Sequence, residues 1–186
     1  MMRKEHLTPD GLQQIVNIRG SINNGLSDSL KVAFPDTTPV IRPLAIDPEI
    51  QDPNWLSGFT AGEGSFSINV LKSNHKSGVQ IQLKFKLTQH SRDQELMKSL
   101  MKYLDCGNYY NFAERELGNF YVVRLPDILD KIIPFFDTPV FAGVKALDYA
   151  DFRRTAELME NKGHLTQSGL EEICKIKEGM NRGRLK

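Results

Sequence analysis

A single carboxylate stands between two glycines at the end of a short predicted helix. The stretch 55–66 reads W-L-S-G-F-T-A-G-E-G-S-F, with Glu63 between Gly62 and Gly64. A carboxylate is a side chain that catalysis can use, although the negative end of a helix dipole disfavours it at a helix C-terminus. A lone carboxylate in this position is usually a solvated surface group, so residue type and spacing alone leave a catalytic role open.

Small residues share one face of the helix that leads to Glu63. Gly58 and Gly62 are four residues apart, with Ala61 beside them, so another helix's backbone can approach this face closely. Glycine costs about 1 kcal/mol per helical position relative to alanine, which indicates a contact that needs both glycines. The alternatives are a poorly formed turn or close packing within one domain.

The elements that must position these residues are predicted from periodicity. Polar and apolar residues alternate over 65–70 and over 79–88, as in strands with one buried face. A second hairpin is expected from strands near 108–113 and 119–125 that turn at Gly118. A first helix is predicted over 53–62, with Asp52 as its N-cap. A second begins at a capping box of Ser91 and Gln94 and ends before Gly107. Two more helices are predicted near 128–133 and 144–161. The predicted fold class is therefore α+β, with a four-stranded antiparallel sheet and the order helix-strand-strand-helix-strand-strand-helices.

The two ends of the chain are similar in sequence. Residues 4–25 and 162–183 agree without gaps at ten of 22 positions, which indicates an internal repeat. Each copy predicts a helix with a threonine N-cap and apolar residues at helical spacing. The features of the first copy are Thr8 as N-cap, Pro9 at the first helical position, Leu12, Ile15, Ile18 and Ile22 as the apolar residues, and Gly25 as the stop.

This repeat predicts three parts of the chain. Residues 1–25 would be the terminal helix of a preceding repeat whose body is absent, and residues 53–186 would be one repeat. Residues 26–52 are interpreted as an inter-repeat linker, because prolines recur through them and exclude a long helix or a central strand. The chain is then expected to be a C-terminal half.

The small net charge conceals an uneven distribution of basic and acidic residues along the chain. The chain has 24 basic and 23 acidic residues, a formal charge of +1 that would argue against a nucleic-acid partner. Residues 65–124 carry nine basic and five acidic side chains, against five and eight in residues 1–64 and ten of each in 125–186. The predicted strands therefore lie in the basic part of the chain.

Composition indicates a soluble protein, since no stretch approaches the about 20 apolar residues of a membrane span and no apolar secretory segment follows Met1. Cys106 and Cys174 are far apart and lack metal-ligand spacing, which favours reduced, packed thiols.

The nine residues L-S-G-F-T-A-G-E-G at 56–64 resemble the signature helix of the LAGLIDADG homing endonucleases, in its second-repeat form. The likeness continues through Leu87-Thr88-Gln89-His90, residues 103–107 (Y-L-D-C-G), residues 130–134 (D-K-I-I-P) and His164-Leu165-Thr166. This ordered set is similar to the single-chain, two-repeat branch found in fungal organellar introns.

The resemblance implies a site made by two such helices, one per repeat, which pack through Gly58, Ala61 and Gly62. Glu63 and the carbonyl of Gly62 would bind Mg²⁺, for which Ca²⁺ or Mn²⁺ could substitute. Gln89 would orient the water shell and Arg124 would stabilise charge on the phosphate; the alternatives are a strand-end polar residue and a surface cation. The chain departs from the family motif at Ala61, where many members carry an acid.

The resemblance also implies that the polar faces of the strands read double-stranded DNA in the major groove. The implied base-reading residues are Ser67, Asn69, Gln80, Gln82, Lys84, Lys86, Thr88, Asn108, Tyr110, Asn119 and Tyr121, and the implied phosphate contacts are Lys72, His75 and Lys76. The alternative is a solvated sheet face, but such a face rarely excludes acids and positions 65–88 carry none.

Two functions remain open from the sequence. The first is a site-specific, metal-dependent DNA endonuclease of mitochondrial origin without a targeting peptide, which needs a second repeat to cut both strands and involves no membrane. The second is a non-cleaving partner, either a DNA-binding half or an intron RNA maturase. A homodimer that pairs two copies of the 55–64 helix on a palindromic target is a further alternative.

Overall fold

The chain divides into two compact units, Met1–Leu44 and Ala45–Lys186, so the boundary falls inside the predicted linker. The structure is a computed structural model that describes residues 4–41, 49–74, 78–138 and 143–185. The linker residues 42–48 and the phosphate contacts predicted for His75 and Lys76 lie outside the described residues.

The N-terminal unit is built on one capped helix. Helix α1 spans Pro9–Gly20, and the Thr8 hydroxyl oxygen accepts a hydrogen bond from the Gly11 N–H at 3.1 Å. The predicted stop at Gly25 is wrong: α1 ends at Gly20, and the chain then turns through Asn23 in the left-handed conformation, with φ 50°. The Arg19 guanidinium donates to the carbonyls of Ile22 and Gly25 in this turn. A short helix α2, Asp28–Ala33, follows.

The C-terminal unit contains the predicted alternation of helices and hairpins. Its helices are α3 Pro53–Glu63, α4 Gln94–Leu104, α5 Leu125–Asp127, α6 Ile133–Asp137, α7 Val144–Glu160 and α8 Gln167–Glu178, with a π-helical turn Ile128–Ile132 between α5 and α6. Its strands are β1 Gly64–Lys72, β2 Val79–His90, β3 Asn108–Phe112 and β4 Leu117–Val122. None of the helices among the described residues is long and apolar enough to cross a bilayer.

The four strands form one antiparallel sheet in the order β1-β2-β4-β3. Alternate residues of β1, β2 and β4 are buried, and their apolar side chains join one core with residues of α4, α7 and α8. The helices therefore cover one face of the sheet and leave the polar side chains on the other face. The predicted α+β fold with a four-stranded antiparallel sheet is confirmed.

Aromatic packing holds β1 in place directly after α3. The Phe66 ring is fully buried and lies 5.2 Å from the Phe85 ring, 5.6 Å from the Phe136 ring and 5.2 Å from the Phe152 ring, measured between centroids. Burial of an aromatic side chain is among the larger single contributions to a core. This cluster fixes the strand that begins one residue after Glu63.

Two local predictions are wrong. The second hairpin turns through a 3₁₀ turn at Ala113–Arg115, and Gly118 lies inside β4. A Cβ at Gly118 would stand 2.1 Å from the Tyr109 hydroxyl, so this glycine makes room for an aromatic ring.

The predicted capping box before α4 is also absent. Ser91 opens a 3₁₀ turn, Ser91–Asp93, which His90 caps by accepting a hydrogen bond from the Arg92 N–H at 3.1 Å. Helix α4 begins only at Gln94, without a side-chain cap.

The two cysteines are free and half-buried. Burial, together with the nearby Asp127 carboxylate, raises the pKa of the Cys106 thiol to about 11. This thiol therefore stays protonated near neutral pH and is a poor nucleophile.

Candidate active site and nucleic-acid interface

Glu63 is the last residue of α3, and β1 begins at the next residue. The junction depends on Gly64, because a Cβ there would lie 2.5 Å from the carbonyl oxygen of Thr60. Gly64 is buried whereas Glu63 is exposed. The sharp change from helix to strand thus leaves the Glu63 carboxylate at the end of the helix, beside the edge of the sheet.

One face of α3 is open. Leu56, Ser57 and Thr60 are buried on its other face, whereas a Cβ at either Gly58 or Gly62 would meet no atom within 4 Å. Ala61 is exposed as well, and Trp55 stacks on Phe59 with ring centroids 5.1 Å apart. Among the described residues, no packing within the chain requires these two glycines, which leaves their face available to another helix.

Gln89 lies at the same end of the sheet as Glu63. Leu87 pairs with Gly64 in the β1–β2 register, and Gln89 follows two residues later. The side-chain carbonyl of Gln89 accepts a hydrogen bond from the His90 N–H at 2.9 Å, which leaves its amide N–H groups as donors. Its assigned role in orienting water stays a prediction.

Arg124 lies away from the end of the sheet that carries Glu63 and Gln89. Strand β4 begins beside Gln89, where Gly118 is its partner, and runs away from that end of β2 before the chain reaches Arg124. The guanidinium is exposed and forms an ion pair with Asp127, with 3.6 Å between Nη1 and Oδ2. The structure does not bring Arg124 to Glu63, and its role on the phosphate stays a prediction.

Lys145 is a site residue that the sequence analysis missed. It stands at the second position of α7, and its ammonium group donates a hydrogen bond to the carbonyl of Gly64. The side chain is half-buried and approaches the junction from the far end of the repeat, 81 residues later in the chain. No local pattern connects the two residues, so only the tertiary fold reveals this contact.

The donor set at the junction suits part of a metal site. The carboxylate of Glu63 and the carbonyl of Gly62 are hard oxygen donors of the kind that divalent cations such as Mg²⁺ accept. Carbonyls in the last turn of a helix lack partners within the helix, so the Gly62 carbonyl is suited to a ligand. The described residues contain no group of three or more His, Cys, Asp or Glu side chains that could hold a metal ion. Among the described residues, the junction thus offers the single carboxylate of Glu63.

The predicted DNA-reading residues lie together on the open face of the sheet. The register pairs Ser67 with Lys84, Asn69 with Gln82, Lys86 with Tyr121, Thr88 with Asn119, Asn108 with Tyr121 and Tyr110 with Asn119. Gln80 lies at the β1–β2 hairpin end of the same face, opposite Leu71. Lys72 ends β1 opposite Val79, so alternation places this predicted phosphate contact on the other face. None of the four strands contains an acidic residue. The contacts of these residues with DNA stay predictions.

Several of these side chains hold one another in place. The Lys84 ammonium lies over the Tyr121 ring at 5.5 Å from its centroid, and the Tyr110 and Tyr121 rings are 5.9 Å apart. Cross-strand contacts of this kind restrict rotamers before a partner binds. The polar face is therefore partly pre-organised.

Apolar residues on this face were missed, namely Leu71, which lies opposite Gln80, and a cross-strand pair in β3 and β4. Phe112 and Leu117 are directly opposite each other in the β3–β4 register, and both are exposed. They share the face of Tyr110 and Asn119 because alternate residues of a strand point to the same side. Because the turn was predicted at Gly118, Leu117 lay outside the predicted strand. Alternation extended back from Tyr121 and Asn119 would have placed Leu117 on the same face.

Comparison with known proteins identifies the family to which this fold belongs. A family model described as LAGLIDADG endonuclease matches residues 56–156, which is over half of the chain. The chain belongs to the LAGLIDADG endonuclease family. The match begins within α3 and spans the whole sheet.

Named relatives and solved structures agree with this assignment. The chain is 39% identical over 171 residues to the probable intron-encoded endonuclease 3 of Neurospora crassa, covering 91% of this chain and 32% of that protein. It is 46% identical to the I-SmaMI LAGLIDADG homing endonuclease bound to cleaved DNA, with a TM-score of 0.93, covering 99% of this chain and 62% of that one. The I-LtrWI homing endonuclease bound to target DNA is 38% identical with a TM-score of 0.91, over 98% and 61% of the two chains.

The chain spans about a third of that Neurospora endonuclease and about three fifths of each of these solved homing endonucleases. LAGLIDADG endonucleases use divalent metal ions, and a further I-SmaMI structure contains uncleaved DNA in the presence of calcium ions.

Proposed function

We propose that this chain is the C-terminal half of a site-specific DNA endonuclease that hydrolyses phosphodiester bonds with the help of Mg²⁺. One observation carries the proposal: the open, small-residue face of α3 ends in an exposed carboxylate beside a sheet face without acids. A structural helix end would not need this combination. A reading face and a metal-binding carboxylate need to be adjacent if the bound phosphate is to be cut.

The sheet face and the groups at the helix end have different roles. The sheet face binds the major groove, because lysine and amide side chains match base edges there. Glu63 and the Gly62 carbonyl hold the cation, which when bound polarises the scissile phosphate and assists an activated water and the leaving 3′ oxygen. Gln89 orients water with its free amide N–H groups. Lys145 holds the Gly64 carbonyl, which keeps the helix end in place and adds positive charge beside the phosphate.

A second repeat completes the site. One repeat supplies one metal-binding carboxylate at the junction, and cutting two DNA strands needs two. The greater length of the relatives supports a longer natural protein. We propose that the partner helix packs on Gly58, Ala61 and Gly62, with residues 1–25 as the end of the preceding repeat, 26–52 as the linker and 53–186 as the second repeat. Relatives named as intron-encoded endonucleases support a mitochondrial origin.

The test begins with selection of bound duplexes from a randomised DNA pool. The chain is then assayed on a plasmid that carries the selected site, with Ca²⁺ for binding and Mg²⁺ for cleavage, while sedimentation measures the number of chains per duplex. We expect specific binding with both ions, and strand cleavage, as nicking, only with Mg²⁺. A chain that neither binds nor nicks DNA contradicts the proposal, and a dimer on a palindromic site would replace the second repeat by a second copy.

Glu63→Gln is the decisive variant, because it keeps the size of the side chain and removes the charge. We expect binding within about twofold of the wild type and loss of nicking by at least about a hundredfold. Glu160→Gln, at the end of α7, is the matched control and should nick normally. Nicking that survives Glu63→Gln would refute the metal assignment.

A further inference from the structure

One cross-strand pair of apolar side chains lies on the reading face, besides the single exposed Leu71 at the β1–β2 hairpin end. Phe112 and Leu117 face each other across β3 and β4 and are 42% and 37% exposed. Two exposed apolar side chains side by side cost free energy in water, and burying them against an apolar group of a ligand recovers it. The pair closes the β3–β4 register at its hairpin end, and such a contact with a ligand explains it better than chance exposure.

DNA offers few apolar groups to a protein in its major groove. Phosphates and deoxyribose edges are met by polar side chains, and three of the four bases present only donors and acceptors there. Thymine alone adds a C5-methyl group. Because the reading face faces the major groove in the proposed function, the apolar pair fits this methyl group.

A second observation, independent of the apolar pair, concerns Asn119, the next residue of β4 on the same face. The Thr88 hydroxyl donates a hydrogen bond to Oδ1 of Asn119 at 2.7 Å, across β2 and β4. The Asn119 amide is therefore held with its carbonyl oxygen occupied and its Nδ2 donors available. Such an amide suits a base acceptor and not a base donor, and thymine presents its O4 acceptor next to the methyl group.

We propose that Phe112, Leu117 and Asn119 form a thymine-reading subsite, in which Thr88 is a positioning residue that sets the orientation of the amide. This inference rests on the proposed function, because it needs the sheet to lie in the major groove. Cytosine presents a donor where thymine presents O4, and adenine and guanine lack the methyl group. Thymine is thus the base that meets both halves of the subsite.

The methyl half is tested by removing one methyl group from the DNA. A duplex selected by the wild-type chain is synthesised with deoxyuridine in place of thymidine at one position at a time, and affinity is measured with Ca²⁺. We expect a loss of about threefold to fivefold at a single position within the half-site. The Phe112→Ala, Leu117→Ala double variant should bind more weakly and should no longer distinguish thymidine from deoxyuridine at that position.

The acceptor half is tested by changing O4 while the methyl group stays. 5-Methyldeoxycytidine, paired with deoxyguanosine, is placed at the same position. We expect the wild-type chain to lose about tenfold in affinity, because two donors then face each other. Thr88→Val removes the hydroxyl and keeps the shape, so the Asn119 amide can turn and the loss should shrink to about twofold or threefold. A purely structural role of Thr88 would lower affinity for both duplexes equally.

The control variant is Leu165→Ala, which removes another exposed leucine that lies outside the sheet. It should leave the deoxyuridine penalty unchanged. A wild-type chain that binds every deoxyuridine duplex as tightly as the thymidine duplex overturns the subsite but not the proposed function. A penalty that persists in the double variant also overturns it. A chain that selects no duplex at all refutes the proposed function, and the subsite with it.

Discussion

Helices α1 and α8 belong to the two similar sequence segments, 4–25 and 162–183, but lie in two different environments. Both begin at a threonine whose hydroxyl oxygen accepts a hydrogen bond at 3.1 Å from the N–H three residues later. Both are followed by an asparagine in the left-handed conformation, Asn23 with φ 50° and Asn181 with φ 52°. Local sequence therefore produces the same local structure twice.

Their apolar faces differ completely. Ile173 and Met180 of the second copy are 0% and 4% exposed, and Leu170 and Ile176 pack against the same core. The corresponding residues of the first copy are Leu12, Ile15, Ile18 and Ile22, which are 43%, 40%, 48% and 40% exposed. A helix sequence determines which face is apolar, but burial needs a sheet and a neighbouring helix to receive that face. The C-terminal unit has both.

The largest expected effect comes from one substitution made at the same repeat position in both helices. Ile173→Ala should lower the free energy of unfolding by about 2–5 kcal/mol, because it leaves a cavity in a closed core. Ile15→Ala should change it by less than about 0.5 kcal/mol, as exposed substitutions do. Urea unfolding followed by circular dichroism measures both. Equal effects would mean that α1 is also buried in solution, for instance in a dimer, which sedimentation would detect.

A smaller effect is expected from the ionic contact that follows only the second copy. Asp148 is buried and accepts hydrogen bonds from the Asn181 N–H at 2.9 Å and the Arg184 guanidinium at 3.1 Å. The first copy has Leu26 at the position of Arg184. Asp148→Ala should destabilise the C-terminal unit by about 1–3 kcal/mol, because Arg184 and the backbone lose their acceptor.

Asp148→Asn is the control for this contact, since it keeps an acceptor oxygen and removes the charge. It should cost less than the alanine variant in the same unfolding measurement. Identical losses for the two variants would assign the effect to the charge of the carboxylate, which both variants remove, and not to its acceptor oxygen.

The smallest effect is expected at the shared caps. Thr166→Ala should lower the free energy of unfolding by about 1 kcal/mol, because one N–H of α8 loses its acceptor. Thr8→Ala should instead act locally, raising hydrogen exchange at the Gly11 amide without moving the main unfolding transition. Exchange at Gly169 and Gly11, compared in the two variants, tests this. A shift of the main transition by Thr8→Ala would contradict the expectation that the cap of α1 acts only locally.

Periodicity predicted much of the fold. Turns and caps that were predicted from single residues were wrong where contacts with other side chains determine the local structure. Alternation through 79–88 predicts β2 because every second side chain enters the core. The turn placed at Gly118 was wrong because glycine there serves the Tyr109 ring and not a turn. The Ser91 cap was wrong because His90 satisfies the backbone first.

The candidate site likewise contains residues that the sequence predicts and residues that only the fold reveals. Glu63, Gly62 and the small-residue face follow from nine consecutive residues, whose spacing belongs to one helix. Lys145 could not be predicted, because its partner carbonyl at Gly64 is distant in sequence and any lysine near a helix start would have looked equivalent. Arg124 is remote from Glu63 because β4 runs away from the end of β2 that carries Gln89.

By itself the sequence determined the order of helices and strands, the small-residue helix that ends at Glu63, the polar face of the strands and the repeated capped helix. These features depend on residues close together in the chain, which meet through hydrogen bonds and side-chain periodicity. Only the tertiary structure decided which copy of the repeated helix is buried, which cation reaches the Glu63 junction, and which apolar pair lies on the reading face. Those outcomes depend on strand register and on packing between distant segments, which local propensity does not encode.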